Sequence, residues 1–146
     1  MPFQFSLAAV LKYRESLEQR EHLALERIQQ EIVRVEVRIR QVEEDCSQAI
    51  QSRAAELSHG TRAADVQSAY EYQIALEQQR EALFALLQEL RIKWRQQLAS
   101  FEVARRNRET LEKLREKKFE AYSHEVAKRE QATMDDIFLS RRGRGN

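Results

Sequence analysis

The residues of this chain that are best suited to catalysis or metal binding are His22, His59, His124 and Cys46. The three histidines are widely separated in sequence, whereas the ligands of a structural metal site are usually only a few residues apart. His124 and Glu125 begin the motif of a zinc-protease helix, but Lys128 occupies the position of the second histidine. We therefore expect no metal site.

Cys46 and the glycines exclude two further kinds of site. Cys46 is the single cysteine, so the chain cannot form an intramolecular disulfide, and its position in an apolar stripe favours a buried structural side chain over a reactive thiol. The three glycines, Gly60, Gly143 and Gly145, are too scattered to form a phosphate-binding loop. The sequence therefore predicts no cofactor and no enzymatic activity.

Two long segments on either side of Gly60 are predicted to be helices. Gly60 is the one strong helix breaker between Phe3 and Arg142, and both segments are rich in Leu, Ala, Glu, Gln and Arg. Charged residues make up 34% of the chain and aromatic residues 8%, a composition that suits packed helices better than a rounded core.

Residues 1–142 are predicted to form one domain. Its predicted elements are a helix over 7–58, a turn over 59–61 and a helix over 62–139, followed by a disordered basic tail over 143–146. Ser6 and Thr61 have the side chains that usually cap helix N-termini, and a glycine at position 60 suits the left-handed exit from the first helix.

Apolar side chains recur at alternating steps of three and four in both segments, which is the heptad pattern of a coiled coil. The first stripe comprises Leu25, Ile28, Ile32, Val35, Ile39, Val42, Cys46 and Ala49. The second comprises Leu76, Leu83, Leu87, Leu90, Trp94, Phe101, Ala104 and Leu111. The short turn predicts an all-α fold, an antiparallel two-helix coiled-coil hairpin with a longer second helix. Two helices enclose no pocket that could exclude water from a catalytic site.

Folding the chain about Gly60 predicts which residues face each other. To within about one turn of helix, this register places Ile39 opposite the region of Glu81 and Glu18 near Arg105 and Arg106. The second helix continues beyond the start of the first, and its apolar residues there are expected to have no cover in this chain: Phe119, Tyr122, Val126 and Ile137. An uncovered apolar stripe indicates an interaction surface or self-association.

The charge balance argues against general binding to nucleic acid. The chain has 25 basic and 24 acidic residues, and charges interrupt every apolar run before it is long enough for a signal peptide or a membrane span. Basic residues are concentrated in two places, residues 105–118 and the tail from Arg141 to Arg144. A helical hairpin that binds nucleic acid through these segments is therefore an alternative, and its binding would weaken steeply with salt.

Both ends of the chain resemble one protein family. The segment FQFSLAAVLKYRESLEQ, from Phe3 to Gln19, has two phenylalanines and a Val-Leu pair followed by Arg and Glu. The segment RETLEKLREKKFEAYSHEVAKREQATMDDI, from Arg108 to Ile137, has a Leu-Glu-Lys-Leu core, a basic run, a tyrosine and a late acidic pair. These features resemble the FliJ family, the small coiled-coil component of the bacterial flagellar type III export apparatus.

The resemblance implies a cytoplasmic protein without an active site that associates peripherally with the inner-membrane export apparatus. Its implied partners are the export ATPase FliI, the export-gate protein FlhA and export chaperones, with no membrane insertion. The corresponding stalk of a virulence-type secretion system is the alternative within this class.

Two surfaces are candidates for these contacts. For the ATPase we expect the open end of the hairpin, with Leu7, Val10, Leu11, Arg108, Lys118, Phe119 and Tyr122. For the export gate we expect a surface nearer the turn, with Tyr70, Tyr72 and Leu76.

Overall fold

The structure is a computed structural model that describes residues 2–60 and 62–145. It contains two helices, α1 over Ala8–Ser58 and α2 over Ala63–Arg144. They are 51 and 82 residues long. The all-α prediction with a longer second helix is thereby confirmed. Long helices are the expected outcome for segments without internal breakers, in which good helix formers predominate.

Helix α1 begins one residue after the predicted position, and α2 continues past its predicted end at 139. The amide of Gly145 donates a hydrogen bond of 3.1 Å to the carbonyl of Arg141, so the last turn of α2 is closed. Residues 143 and 144, expected in a disordered tail, are therefore helical. A glycine costs a helix only about 1 kcal/mol relative to alanine, and the arginines of the last turn interact favourably with the helix dipole.

The turn between the helices depends on the backbone conformation of Gly60. Its φ of 73° lies in the left-handed region, where a side chain would be strained. The amide of His59 donates to the carbonyl of Glu56 at 3.1 Å and closes the last turn of α1. On the far side, the carbonyl of Arg62 accepts the amides of Asp65 and Val66. The predicted cap Thr61 lies outside the described residues.

The chain forms two compact units. The central unit is Glu21–Phe101, and the terminal unit combines the residues up to Arg20 with those from Glu102 onward. Within the central unit the helices run antiparallel. Arg53 Nη1 donates to Gln73 Oε1 at 3.1 Å near the turn, and Gln97 Nε2 donates to the carbonyl of Glu21 at 3.0 Å at the other end.

The core of the central unit lies in the seam between the two helices. One cluster of buried residues is Ile32, Ile39, Leu87 and Leu90, and a second is Val42, Cys46 and Leu76. Leu83 packs against both clusters, and Val42 is 0% exposed. Every one of these residues belongs to the two predicted stripes, so periodicity alone identified this core.

The terminal unit contains a long uncovered part of α2. Every residue described from 127 to 145 is exposed, as predicted for the continuation of the second helix. The predicted starting point of this segment was wrong, because the ring of Phe3 lies 5.3 Å from that of Phe119 and 5.5 Å from that of Tyr122. The residues before α1 therefore reach these two rings, and the fully exposed segment begins after Val126.

Over its described residues, neither helix holds an apolar stretch of the length that a bilayer crossing requires.

Two adjacent leucines test whether the seam determines stability. Leu87 is 4% exposed within the first cluster, whereas its neighbour Leu86 is 42% exposed on the outer side of α2. Leu87→Ala is expected to lower the free energy of unfolding by about 2–5 kcal/mol, because it removes buried methyl groups and leaves a cavity. Leu86→Ala should cost less than about 1 kcal/mol. Urea denaturation followed by circular dichroism measures both changes, and equal losses would contradict this assignment of the core.

Candidate partner-binding surfaces

The described residues contain no group of three or more His, Cys, Asp and Glu side chains that could hold a metal ion. Cys46 is buried in the second cluster of the core. His22 forms a 2.9 Å contact with Glu26, four residues along α1, and its ring lies 5.4 Å from that of Phe101. These residues contribute to packing and to the helix surface. The features that remain for function are surfaces of the two units.

An ion-pair network in the terminal unit determines which residues of α1 and α2 lie opposite each other. The guanidinium of Arg108 donates two hydrogen bonds to the carboxylate of Glu18, through Nε to Oε2 and through Nη2 to Oε1. Its Nη1 donates a third, 2.6 Å long, to Glu112 on the next turn of α2. Two parallel bonds between a guanidinium and a carboxylate form a charge-assisted pair with a defined geometry.

This network also shifts the pKa of Arg108. The hydrogen bond to Glu18 raises the pKa of Arg108 further above its usual value, and the charges of Glu18 and Glu112 act in the same direction against partial burial. Arginine is protonated at neutral pH in any environment, so this guanidinium presents a full positive charge to Glu18 and Glu112. The side chains of Arg108 and Glu18 are 21% and 18% exposed, so water screens this pair less than a fully exposed one.

Glu18 was predicted to lie near Arg105 and Arg106, and its observed partner is Arg108, two or three residues further along α2. Arg105 bonds instead with Glu109 along its own helix, at 3.5 Å. Arg108, expected to contact a partner protein, has its guanidinium bound to Glu18 and Glu112 within this chain. Its role in partner binding stays a prediction, and the geometry assigns it a positioning role between α1 and α2.

Three aromatic rings form a cluster beside this network. Phe3 contacts Phe119 edge-on, with an angle of 77° between the rings, and it contacts Tyr122 at 45°. A groove of about 500 Å³ adjoins the cluster, lined by Phe3, Glu112, Arg115, Glu116 and Phe119. A second groove of similar volume is also lined by Phe3 and Arg115. Phe119 remains 51% exposed and is therefore accessible to a partner.

The other residues predicted for the ATPase contact differ in accessibility. Val10 is 42% exposed and Lys118 is exposed, whereas Leu7 is half-buried. Leu11 is only 4% exposed and belongs to the buried core. It also lines the second groove. The accessible part of this candidate surface therefore centres on Phe119, Val10 and Lys118.

The candidate surface near the turn also contains both exposed and buried side chains. Tyr72 is 54% exposed and lines a groove of about 300 Å³ with Asp45, Gln48, Ala49, Ser52, Arg53, Glu56 and Ala69. Tyr70 is 47% exposed and lies under the guanidinium of Arg53, 5.4 Å from its carbon. Leu76 is 7% exposed and belongs to the core. Of the three predicted residues, Tyr72 offers the most accessible side chain.

The sequence analysis missed two contributors to these surfaces. Phe3 precedes α1, where no helical periodicity applies, so the pattern did not indicate what its ring would contact. Arg53 occupies the next position of the α1 stripe, four residues after Ala49, and stabilises the region near the turn by stacking on Tyr70 and bonding Gln73. The available signal was the position of this arginine in the stripe itself, because the alternating steps of three and four place position 53 directly after Ala49.

Comparison with known proteins gives one result that covers nearly the whole chain. The family model described as the flagellar FliJ protein matches residues 3–146. Neither the curated proteins nor the solved structures provide a match. The matched range includes both helices and both candidate surfaces. The chain therefore belongs to the FliJ family and is a coiled-coil protein of flagellar export.

Proposed function

We propose that this protein engages the export ATPase FliI with its terminal unit and the export-gate protein FlhA with its central unit, and so couples the ATPase to the gate. The observation that supports this proposal is that each unit carries an accessible aromatic side chain beside a groove, Phe119 in one and Tyr72 in the other. Exposed aromatic residues beside concave surfaces are frequent anchors of protein interfaces.

The ATPase contact is assigned to the terminal unit because its exposed residues combine an aromatic ring with basic side chains. Phe119 follows Lys117 and Lys118, and Arg115 lies in both grooves beside Phe3. The groove beside Phe119 also contains Glu112 and Glu116, so this surface suits a partner that is apolar at its centre and carries charges of both signs at its edge. In this proposal Arg108 acts indirectly, since it holds α1 and α2 in the register that presents Phe119.

The gate contact is assigned to the central unit because Tyr72 projects beside a polar groove. Asp45 and Ser52 supply acceptors for a partner's hydrogen bonds, and the tyrosine ring supplies apolar area with a polar tip. Binding FlhA through this surface would hold the protein at the inner-membrane export apparatus from the cytoplasmic side. Export chaperones are further partners that this location would make available.

The ATPase contact predicts that this protein stimulates FliI. Adding it to FliI should raise the rate of ATP hydrolysis until the binding sites are saturated, because the proposed contact promotes assembly of the ATPase ring. Phosphate release measured over a concentration series provides the test, and the ATPase of a virulence-type secretion system serves as the control. A flat response at saturating protein would count against the proposal, and preferential stimulation of the virulence ATPase would assign the protein to that system.

The positioning role of Arg108 predicts a charge-swap result. Arg108→Glu should weaken stimulation of FliI, since it places two carboxylates against each other in place of the bidentate pair. The double variant Glu18→Arg with Arg108→Glu should recover most of the stimulation, reduced by the loss of the Arg108–Glu112 pair and by the repulsion that replaces it, each about 0.2–0.5 kcal/mol. Equal losses in the single and double variants would indicate that Arg108 contacts the ATPase directly.

The gate contact predicts a loss of FlhA binding in Tyr72→Ala. Truncating an aromatic anchor typically weakens an interface by more than 1 kcal/mol, or at least about fivefold in the dissociation constant. Tyr13→Ala is the matched control, because Tyr13 is 60% exposed but belongs to the terminal unit. Calorimetric titration with the soluble part of FlhA measures both constants. Unchanged binding by the Tyr72 variant would remove this residue from the interface.

A further inference from the structure

The residues before α1 form a short segment that lies against α2. Residues 2–5 precede the first turn of α1 and have no regular secondary structure. Their burial alternates, since Phe3 and Phe5 are half-buried whereas Pro2 and Gln4 are exposed. Alternation with a period of two is typical of an extended backbone that has one face against a surface. We name residues 2–5 the N-terminal strap.

The N-terminal strap contacts α2 through an aromatic ring. The ring of Phe3 lies 5.3 Å from that of Phe119, in an edge-on arrangement, and 5.5 Å from that of Tyr122. Phe119 and Tyr122 are three residues apart and therefore lie on the same face of α2. Phe3 thus occupies the position over these two rings in which an apolar side chain of a partner would bind.

Side-chain contacts hold the strap against α2. The backbone groups within a helix are already bonded to each other, so the middle of α2 offers no backbone partners to an extended segment. Among the described residues, the one backbone hydrogen bond of the strap joins the carbonyl of Phe5 to the amide of Ala8, at 3.1 Å in the first turn of α1. Release of Phe3 from α2 therefore breaks ring contacts without breaking this backbone bond.

The packing around Phe3 is open. Phe3 lines two grooves of about 500 Å³ each, and Phe119 remains 51% exposed although Phe3 contacts its ring. A ring bordered by grooves has fewer dispersion contacts than a ring in a close-packed core. The free-energy difference between a closed and an open strap is therefore small enough for the binding of a partner to reverse it.

We propose that the N-terminal strap is an autoinhibitory segment, in which Phe3 covers Phe119 and Tyr122 in the free protein and leaves them when a partner binds. This inference rests on the contact proposed above between the terminal unit and FliI, and it adds how access to that surface is controlled. Phe3 and an anchor of the partner cannot occupy the same position over the two rings. The strap therefore lowers the apparent affinity by the fraction of molecules in which it is open.

The position of the strap can be measured in the isolated protein. Tyr122→Cys places a thiol beside Phe3, and the chain without this substitution gives the background rate of maleimide labelling at the buried Cys46. Adding Phe3→Ala should raise the labelling rate at position 122 at least about threefold, because no ring then covers the thiol. Gln4→Ala is the matched control, since Gln4 is the exposed neighbour in the same strap, and it should change the rate less than about 1.5-fold. An unchanged rate in the Phe3 variant would overturn the inference.

The effect on FliI should have the opposite sign to that of a contact residue. Phe3→Ala should lower the protein concentration that gives half-maximal stimulation of FliI at least about threefold, since the strap no longer competes. Gln4→Ala should leave this concentration unchanged. Phe3→Leu keeps an apolar side chain without the ring, and it should give intermediate values in both measurements. Circular dichroism verifies that each variant keeps the helix content of the wild-type protein.

The outcomes separate this inference from the proposed function. A higher half-maximal concentration for Phe3→Ala would make Phe3 part of the ATPase contact, and an unchanged one would show that the strap does not control access. Either result would overturn the autoinhibitory role and leave the ATPase contact standing. Absence of stimulation by both the wild-type protein and the Phe3→Ala variant would overturn the ATPase contact and this inference together.

Discussion

The packing of one helix against another along a single apolar seam is the interaction on which the rest of this structure depends. The core of the central unit consists of side chains from α1 and α2 alone, with Val42, Leu87 and Leu90 among the most buried. A protein built in this way exposes most of the surface of each helix. The exposed surfaces of the two units are therefore where partners can bind.

An apolar seam causes two helices to pack together, but it determines their register only weakly. Isoleucine and valine repeat along the first stripe and leucine along the second, so a shift by one heptad would still bury apolar side chains. Polar contacts between the helices discriminate between such registers, because a shifted pairing would leave their partly buried groups without partners. Gln97 and Glu21 supply such a contact in the central unit, and Arg108 and Glu18 supply one in the terminal unit.

The sequence was sufficient to predict features that follow from periodicity and from backbone conformation. Both stripes and the turn at Gly60 were of this kind. The exact pairing of residues across the seam was less accessible, because apolar periodicity defines the register only to within about one turn of helix, and the partner of Glu18 is Arg108 and not Arg105 or Arg106. The contacts of Phe3 depend on a segment without regular structure, for which the sequence offered no periodic signal.

The candidate surfaces show a related limit of sequence analysis. Leu11 and Leu76 were grouped with accessible residues because an apolar side chain near a functional end can either fill the seam or project from it. Burial separates these cases: Leu11 and Leu76 fill the seam, while Phe119 and Tyr72 remain accessible.

The same distinction explains why the C-terminal part of α2 differs from the rest of the chain. In the central unit the apolar stripe of α2 is covered by α1, and at Phe119 and Tyr122 it is contacted by Phe3, but beyond Val126 every described residue is exposed. Keeping apolar side chains exposed gains nothing for the folded chain by itself. Good helix formers and the terminal arginines keep this segment helical, so its exposed apolar side chains have a fixed arrangement before a partner binds.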